Sequence, residues 1–225
     1  MGMNAHYASI VELPELVRLF PLPGALLLPR GELPLNIFEP RYLAMVDEAI
    51  ASDRLIGMIQ PVPGEDELKL FQIGCVGRLT HFCETGDGRY LITLTGVARF
   101  KTIGERRGPE PFRRAQVSFG SFEGDLLAGD GEERVDRARM VLMLREFAET
   151  SGVEVDWASI DAAPTETLVN ALAMMCPFGV REKQSLLEAI DLKTRAEILI
   201  GLAAFELARD PPPRGRRREE PPQFH

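Results

Sequence analysis

Apolar positions change period halfway along the chain. In the first half they fall in short runs, residues 16–20, 25–28 and 33–38, punctuated by Pro21, Pro23, Gly24, Pro29, Gly31 and Pro34. That spacing predicts short strands joined by tight turns. Pro40 then stands where an N1 proline would. Leu43, Val46, Ala49 and Ile50 recur at helical spacing, which predicts a helix over residues 41–51 with one apolar face for the sheet. Residues 55–60 form another apolar run, ended by Pro61, Pro63 and Gly64. Phe71, Ile73, Cys75, Leu79 and Phe82 lie on one extended segment, and Tyr90, Ile92, Leu94, Val97 and Phe100 on a second. Gly86 and Gly88 between them supply φ > 0 positions, so the pair reads as a hairpin. Gly74, Gly77 and Gly96 inside these strands predict bulges or sharp corners. Residues 112–122 read as a last strand. Many short strands with a single early helix predict a small closed or nearly closed β-barrel, which hides its own edges.

In the second half the period becomes helical. Val135, Ala138, Leu142 and their apolar neighbours predict a helix reaching Ala148 that is apolar nearly all round and therefore buried. Leu168, Ala171, Leu172 and Met175 form a second stripe, stopped by Pro177 and Gly179. Leu186, Leu187 and Ile190 form a third. A fourth opens at Thr194, where Thr194 and Glu197 fit a capping box, and runs through Leu199, Ile200, Ala203 and Leu207. Residues 1–13 read as a flexible lead-in, 14–125 as a β-rich subdomain, 126–209 as a helical subdomain and 210–225 as a disordered Pro- and Arg-rich tail. The fold class is α+β.

Charge narrows the partners. The chain carries 26 Lys plus Arg against 34 Asp plus Glu, a net charge of -8. Arg214, Arg216, Arg217 and Arg218 lie in the tail with three acids, so the body is more acidic still. Such a balance repels phosphate backbones and anionic lipid, which disfavours nucleic acid and membrane as partners. No run of ~18 apolar residues is present to span a bilayer, and no basic segment precedes an apolar one at the N-terminus. Three scattered cysteines, Cys75, Cys83 and Cys176, suit a reducing compartment and read as inert buried thiols. The expected location is cytoplasmic.

Catalytic motifs are missing from the sequence. There is no phosphate-binding P-loop, no G-x-S-x-G elbow, no H-E-x-x-H zinc helix and no dinucleotide fingerprint. With His6 and His225 near the ends, histidine chemistry rests on His81, a candidate for a small hydrolase only if an acid joins it. Lys183 and Ser185 are two residues apart on a predicted helix, and so point to different faces. They read as surface decoration. No metal ligand set or cofactor site is expected.

The segment 19–42, LFPLPGALLLPRGELPLNIFEPRY, closely resembles the signature at the start of the LON substrate-binding domain, the N-terminal domain of Lon proteases. Ile73-Gly-Cys-Val-Gly resembles that family's I-G-x-x-G/A strand, and Gly96-Val-Ala-Arg-Phe its G-x-x-R-F/V strand. Lys183-Gln-Ser-Leu-Leu-Glu resembles its K-Q-x-L-L-E, followed by Arg195. The resemblance spans residues 14–208 and implies a PUA-like β-barrel packed against a helical subdomain. It also implies a non-catalytic module that recognises polypeptide. Complete Lon proteases continue into ATPase and Ser-Lys protease modules; the sequence in hand reads as a stand-alone version of the first domain.

The signature residues Phe20, Leu22, Pro23, Leu35, Ile37, Phe38, Glu39, Arg41 and Tyr42 are the candidate site. The apolar ones are core or client contacts according to their exposure. Glu39 is expected to lock the helix onto the barrel by accepting from the helix start or by pairing with Arg41, Arg78 or Arg99. Expected partners are a polypeptide client or protein partner, including a separate ATPase or protease, with a homodimer as a further option. A nucleic-acid-binding PUA-like protein and a small hydrolase built on His81 are the rival readings.

Overall fold

The computed structural model describes residues 7–64, 69–151 and 154–209. Its six strands are β1 (Leu16–Pro21), β2 (Glu32–Ile37), β3 (Leu55–Ile59), β4 (Ile73–Glu84), β5 (Tyr90–Arg106) and β6 (Arg113–Ser118). They form one sheet in the order β2-β5-β4-β3-β1-β6. β1 and β3 run parallel, and the other pairings are antiparallel. β5, at 17 residues, is long enough to serve both ends of the sheet. Residues 90–95 pair with β2, and residues 101–106 turn round to pair with β6. Hydrogen bonding thus closes through β5, β4, β3, β1 and β6, and β2 is left outside that ring with one strand neighbour. The α+β order expected from the sequence is present.

Strand alternation sorts the core into two parts. Val17 and Leu19 of β1 point inside the ring with Val76, Ala98, Phe100 and Val117. Phe20 faces the other way, into a larger core shared with α1 (Pro40–Ala51) and the helical half. Gly77 and Gly96 do more than bend strands, because residues 25–30 cross directly over them. A Cβ on Gly77 would stand 2.6 Å from Leu27 Cδ2, and one on Gly96 would collide with the Leu28 carbonyl. Residues 25–28, expected as a strand, are therefore a loop that buries Leu26, Leu27 and Leu28 in succession. Alternation would have turned Leu27 outward.

The other differences have equally local causes. The last strand stops at Ser118, because Gly120 breaks it and a 3-10 turn, Gly120–Leu126, tucks Phe122 inward. From Tyr7 onward the lead-in is packed: Leu13 is buried and Arg78 donates to the Tyr7 hydroxyl. Helix α2 (Arg137–Ser151) buries one face only, through Met140, Met143, Leu144 and Ala148, and leaves Leu142 exposed. A short helix absent from the sequence reading, α3 (Trp157–Ala162), is capped by Asp156. Beyond it come α4 (Thr165–Met175), α5 (Val180–Glu188) and α6 (Leu192–Arg209). Thr194 lies inside the first turn of α6; the carboxylate of Asp191 accepts from its backbone N–H and is the cap. His6, His225, Asp66, Glu67 and the Arg-rich tail fall outside the described residues. No helix among the described residues is long and apolar enough to cross a membrane.

Candidate functional site: a groove between the edge strand and α4

β2 lies at the sheet edge next to α4, and a groove of about 450 Å³ separates them. Leu33 and Pro34 form the strand side; Ala171, Met174 and Met175 form the helix side, with Met175 80% exposed. Apolar helix positions 171, 174 and 175 share a face by the 3.6-residue period, and only part of that face is covered by the core. Thioether side chains suit a surface that takes many shapes.

Both walls are fixed by polar contacts, buried and part-exposed, between the sheet half and the helices. Asn170 donates to the Pro29 carbonyl at 3.1 Å and accepts from Arg195 at 2.9 Å. Arg195 also donates to the Leu186 carbonyl, and burial together with the nearby Arg99 charge pushes it down to about 10. Arg30, in left-handed backbone at φ 63, sends its guanidinium to Glu166 as a two-pronged ion pair and to the Asp125 carbonyl at 2.6 Å. Lys183, expected to be surface decoration, is half-buried and donates to the carbonyls of Gly24 and Met174 at 3.0 and 3.2 Å. Burial lowers its pKa. Ser185 donates to its own helix, to Glu182, so the two side chains do not meet.

None of the nine signature residues lines this groove. Phe20, Ile37 and Tyr42 are core, with the Phe20 and Tyr42 rings 4.3 Å apart. Burial raises the Tyr42 phenol. Leu22 and Leu35 are half-buried against the same core, whereas Pro23, Phe38 and Arg41 are exposed. Glu39 pairs with Arg41 at 2.7 Å in the open and makes no side-chain bond to the helix start, so it does not lock α1. Arg18 does that instead. Its guanidinium is nearly buried and reaches Glu48, Asp53, Ser52 and the Leu55 carbonyl, tying α1 to β1 and β3. Arg78 and Arg99 are engaged elsewhere, on Tyr7 and Asp125.

The apolar periodicity places Met175 in the second helical stripe, which implies burial, and does not single out Met174. Nothing in the sequence places α4 beside the strand edge. His81 is exposed on β4 opposite Thr93, and among the described residues no carboxylate hydrogen-bonds to it. Cys75 is buried and burial raises its thiol; Cys176 is half-buried and likewise raised; Cys83, against expectation, is exposed. Among the described residues no three His, Cys, Asp or Glu side chains converge as a metal site.

Residues 17–204 match the family model described as the ATP-dependent protease La (LON) substrate-binding domain. The chain is 25% identical over 199 residues to Lon protease 2 of Myxococcus xanthus, covering 85% of this chain and 24% of that protein. It is 27% identical over 199 residues to the Lon protease of Syntrophus aciditrophicus, covering 84% and 25%. The chain thus spans about a quarter of the length of the curated relatives it matches. In fold it is similar to a Lon N-terminal domain protein from Xanthomonas campestris, with TM-score 0.57, 21% identity, and coverage of 83% of this chain and 97% of that one. The N-terminal domain of a Mycobacterium avium complex Lon protease gives TM-score 0.58 at 14% identity, covering 84% and 98%. Signature residues, overall fold and a family match over most of the chain agree: this chain belongs to the LON substrate-binding domain family.

Proposed function

We propose that the chain is a non-catalytic recognition module that binds extended, apolar polypeptide in the groove between β2 and α4. The observation that carries this is the groove itself, where exposed Met175 and half-buried Met174 face the edge strand across a gap with fixed walls. An extended segment can dock either in this groove or by adding a strand to the β2 edge, and Pro34 favours the first. A proline in an edge strand turns its donor-less nitrogen outward. The centre of β2 therefore offers no N–H to an added strand, and side-chain contacts dominate. Phe38, 62% exposed just beyond β2, is the signature residue that a client running along this strand reaches next. The client comes from a protein partner, including one handled by a separate ATPase or protease, and the setting is cytoplasmic.

Anisotropy of a labelled, permanently unfolded polypeptide titrated with this protein tests the reading. Saturable binding that does not need ATP is expected. Met175→Glu should weaken it about 10-fold, as the loss of one buried apolar anchor implies. A flat titration, or binding indifferent to Met175→Glu and Ala171→Glu, would overturn it.

A further inference from the structure

A second apolar groove, of about 490 Å³, lies between α2 and α6. Leu142 of α2 lies 67% exposed on one wall, and Ala204 and Ala208 form the other. Phe205, beside them on α6, is 62% exposed. The rim holds one charge of each sign on α2, Arg139 and Glu146, and neither makes an ion pair among the described residues. Seven residues separate them, two helical turns or roughly 10 Å, so they share a face. Their midpoint falls between Leu142 and Met143. A strip that reads cation, leucine, anion is complementary to itself when reversed. An antiparallel copy sets Arg139 against Glu146 at both ends, while a parallel copy sets like against like.

We propose that this groove is a self-association surface. A second copy docks its α2 antiparallel to the first, about a two-fold axis passing beside Leu142. Such an interface is isologous: Leu142 meets Leu142 of the other copy, and each Arg139 meets the other Glu146. The alanines at positions 204 and 208 let the apposed helices come close. This assignment concerns a different face from the polypeptide groove and stands apart from that reading.

Sedimentation velocity of the full chain over micromolar to millimolar concentrations tests it, with circular dichroism to verify folding. The wild type should be a reversible dimer, and Leu142→Asp a monomer. Arg139→Glu alone and Glu146→Arg alone each create two like-charge contacts and should each weaken the dimer about tenfold. The double swap R139E/E146R restores both pairs and should restore the dimer. A wild type that stays monomeric overturns the proposal, as does a dimer untouched by Leu142→Asp. Single reversals that the double swap fails to rescue overturn the antiparallel register. If the chain is monomeric and Leu142→Asp instead abolishes capture of unfolded polypeptide, the groove belongs to client and the proposal is equally overturned.

Discussion

Two arginine–carboxylate contacts in this protein look alike on paper and differ in consequence. Glu39 and Arg41 meet at 2.7 Å, with side chains 42% and 54% exposed. Solvent screens such a pair, and its worth is about 1 kcal/mol or less. Arg18 is 9% exposed at the side chain and spreads its donors over two carboxylates, a hydroxyl and a carbonyl. Removing it leaves the Asp53 carboxylate and the Leu55 carbonyl short of partners, at a cost of at least about 2 kcal/mol. Urea unfolding should therefore show Arg18→Ala clearly destabilised and Glu39→Gln close to wild type. Equal midpoints for the two variants would refute this assignment of the lock. Signature conspicuousness in the sequence is thus no guide to which charge holds α1.

Among the elements, α6 shows how a cap couples to pH. Backbone and side-chain hydrogen bonds from Thr194 hold the Asp191 carboxyl below its ordinary 3.8. The folded pKa is depressed, so the cap's stabilisation is complete above the unfolded value and is lost as pH falls through the folded one. Replacing the cap, as Asp191→Ala does, should cost about 1 kcal/mol at neutral pH. The protection factors of amides in the first turn of α6, relative to intrinsic exchange at the same pH, should fall below about pH 4 in the wild type, whereas in the variant they are already low and change little on acidification. No difference between the two at neutral pH would show that Asp191 is not the cap. The sequence offered Thr194 and Glu197 as a capping box, and a Thr three residues after an Asp fits either reading. Only the position of the chain entering α6 separates them.

For the molecule as a whole, sheet and helices share one large core and should unfold as one unit. The larger core draws on both halves, including Leu27, Met58 and Ile92 from the sheet side and Val169, Leu186 and Leu199 from the helices. Arg99 on β5 is 3% exposed; it is gripped by Asp125 and donates to the carbonyls of Leu187 and Ala189 at the end of α5. Asp125→Ala strands that buried charge, and the expected loss is about 3–5 kcal/mol. Scanning calorimetry should give a single transition with equal calorimetric and van't Hoff enthalpies, shifted down in the variant. Two separated transitions would show that the halves fold independently.

What the sequence determined by itself follows from local physics. Period-2 and period-3.6 patterning located β1 to β4 closely, found β5 and β6 with displaced ends, and found every helix but α3, and Pro40 marked the start of α1. The glycines at 77 and 96 were legible as bends in their strands, although not as the path of the loop that crosses them. Motif content was enough to name the family. Tertiary structure decided the rest, because burial and neighbourhood depend on residues far apart in the chain. Three leucines in a row became a buried loop when two glycines cleared a path for it. Arg18, Arg99 and Arg195, unremarked as a set, became buried cross-links once packing brought their partners within reach. Met174 and Met175 became a groove wall only because α4 settled beside an edge strand that the ring of hydrogen bonds leaves outside.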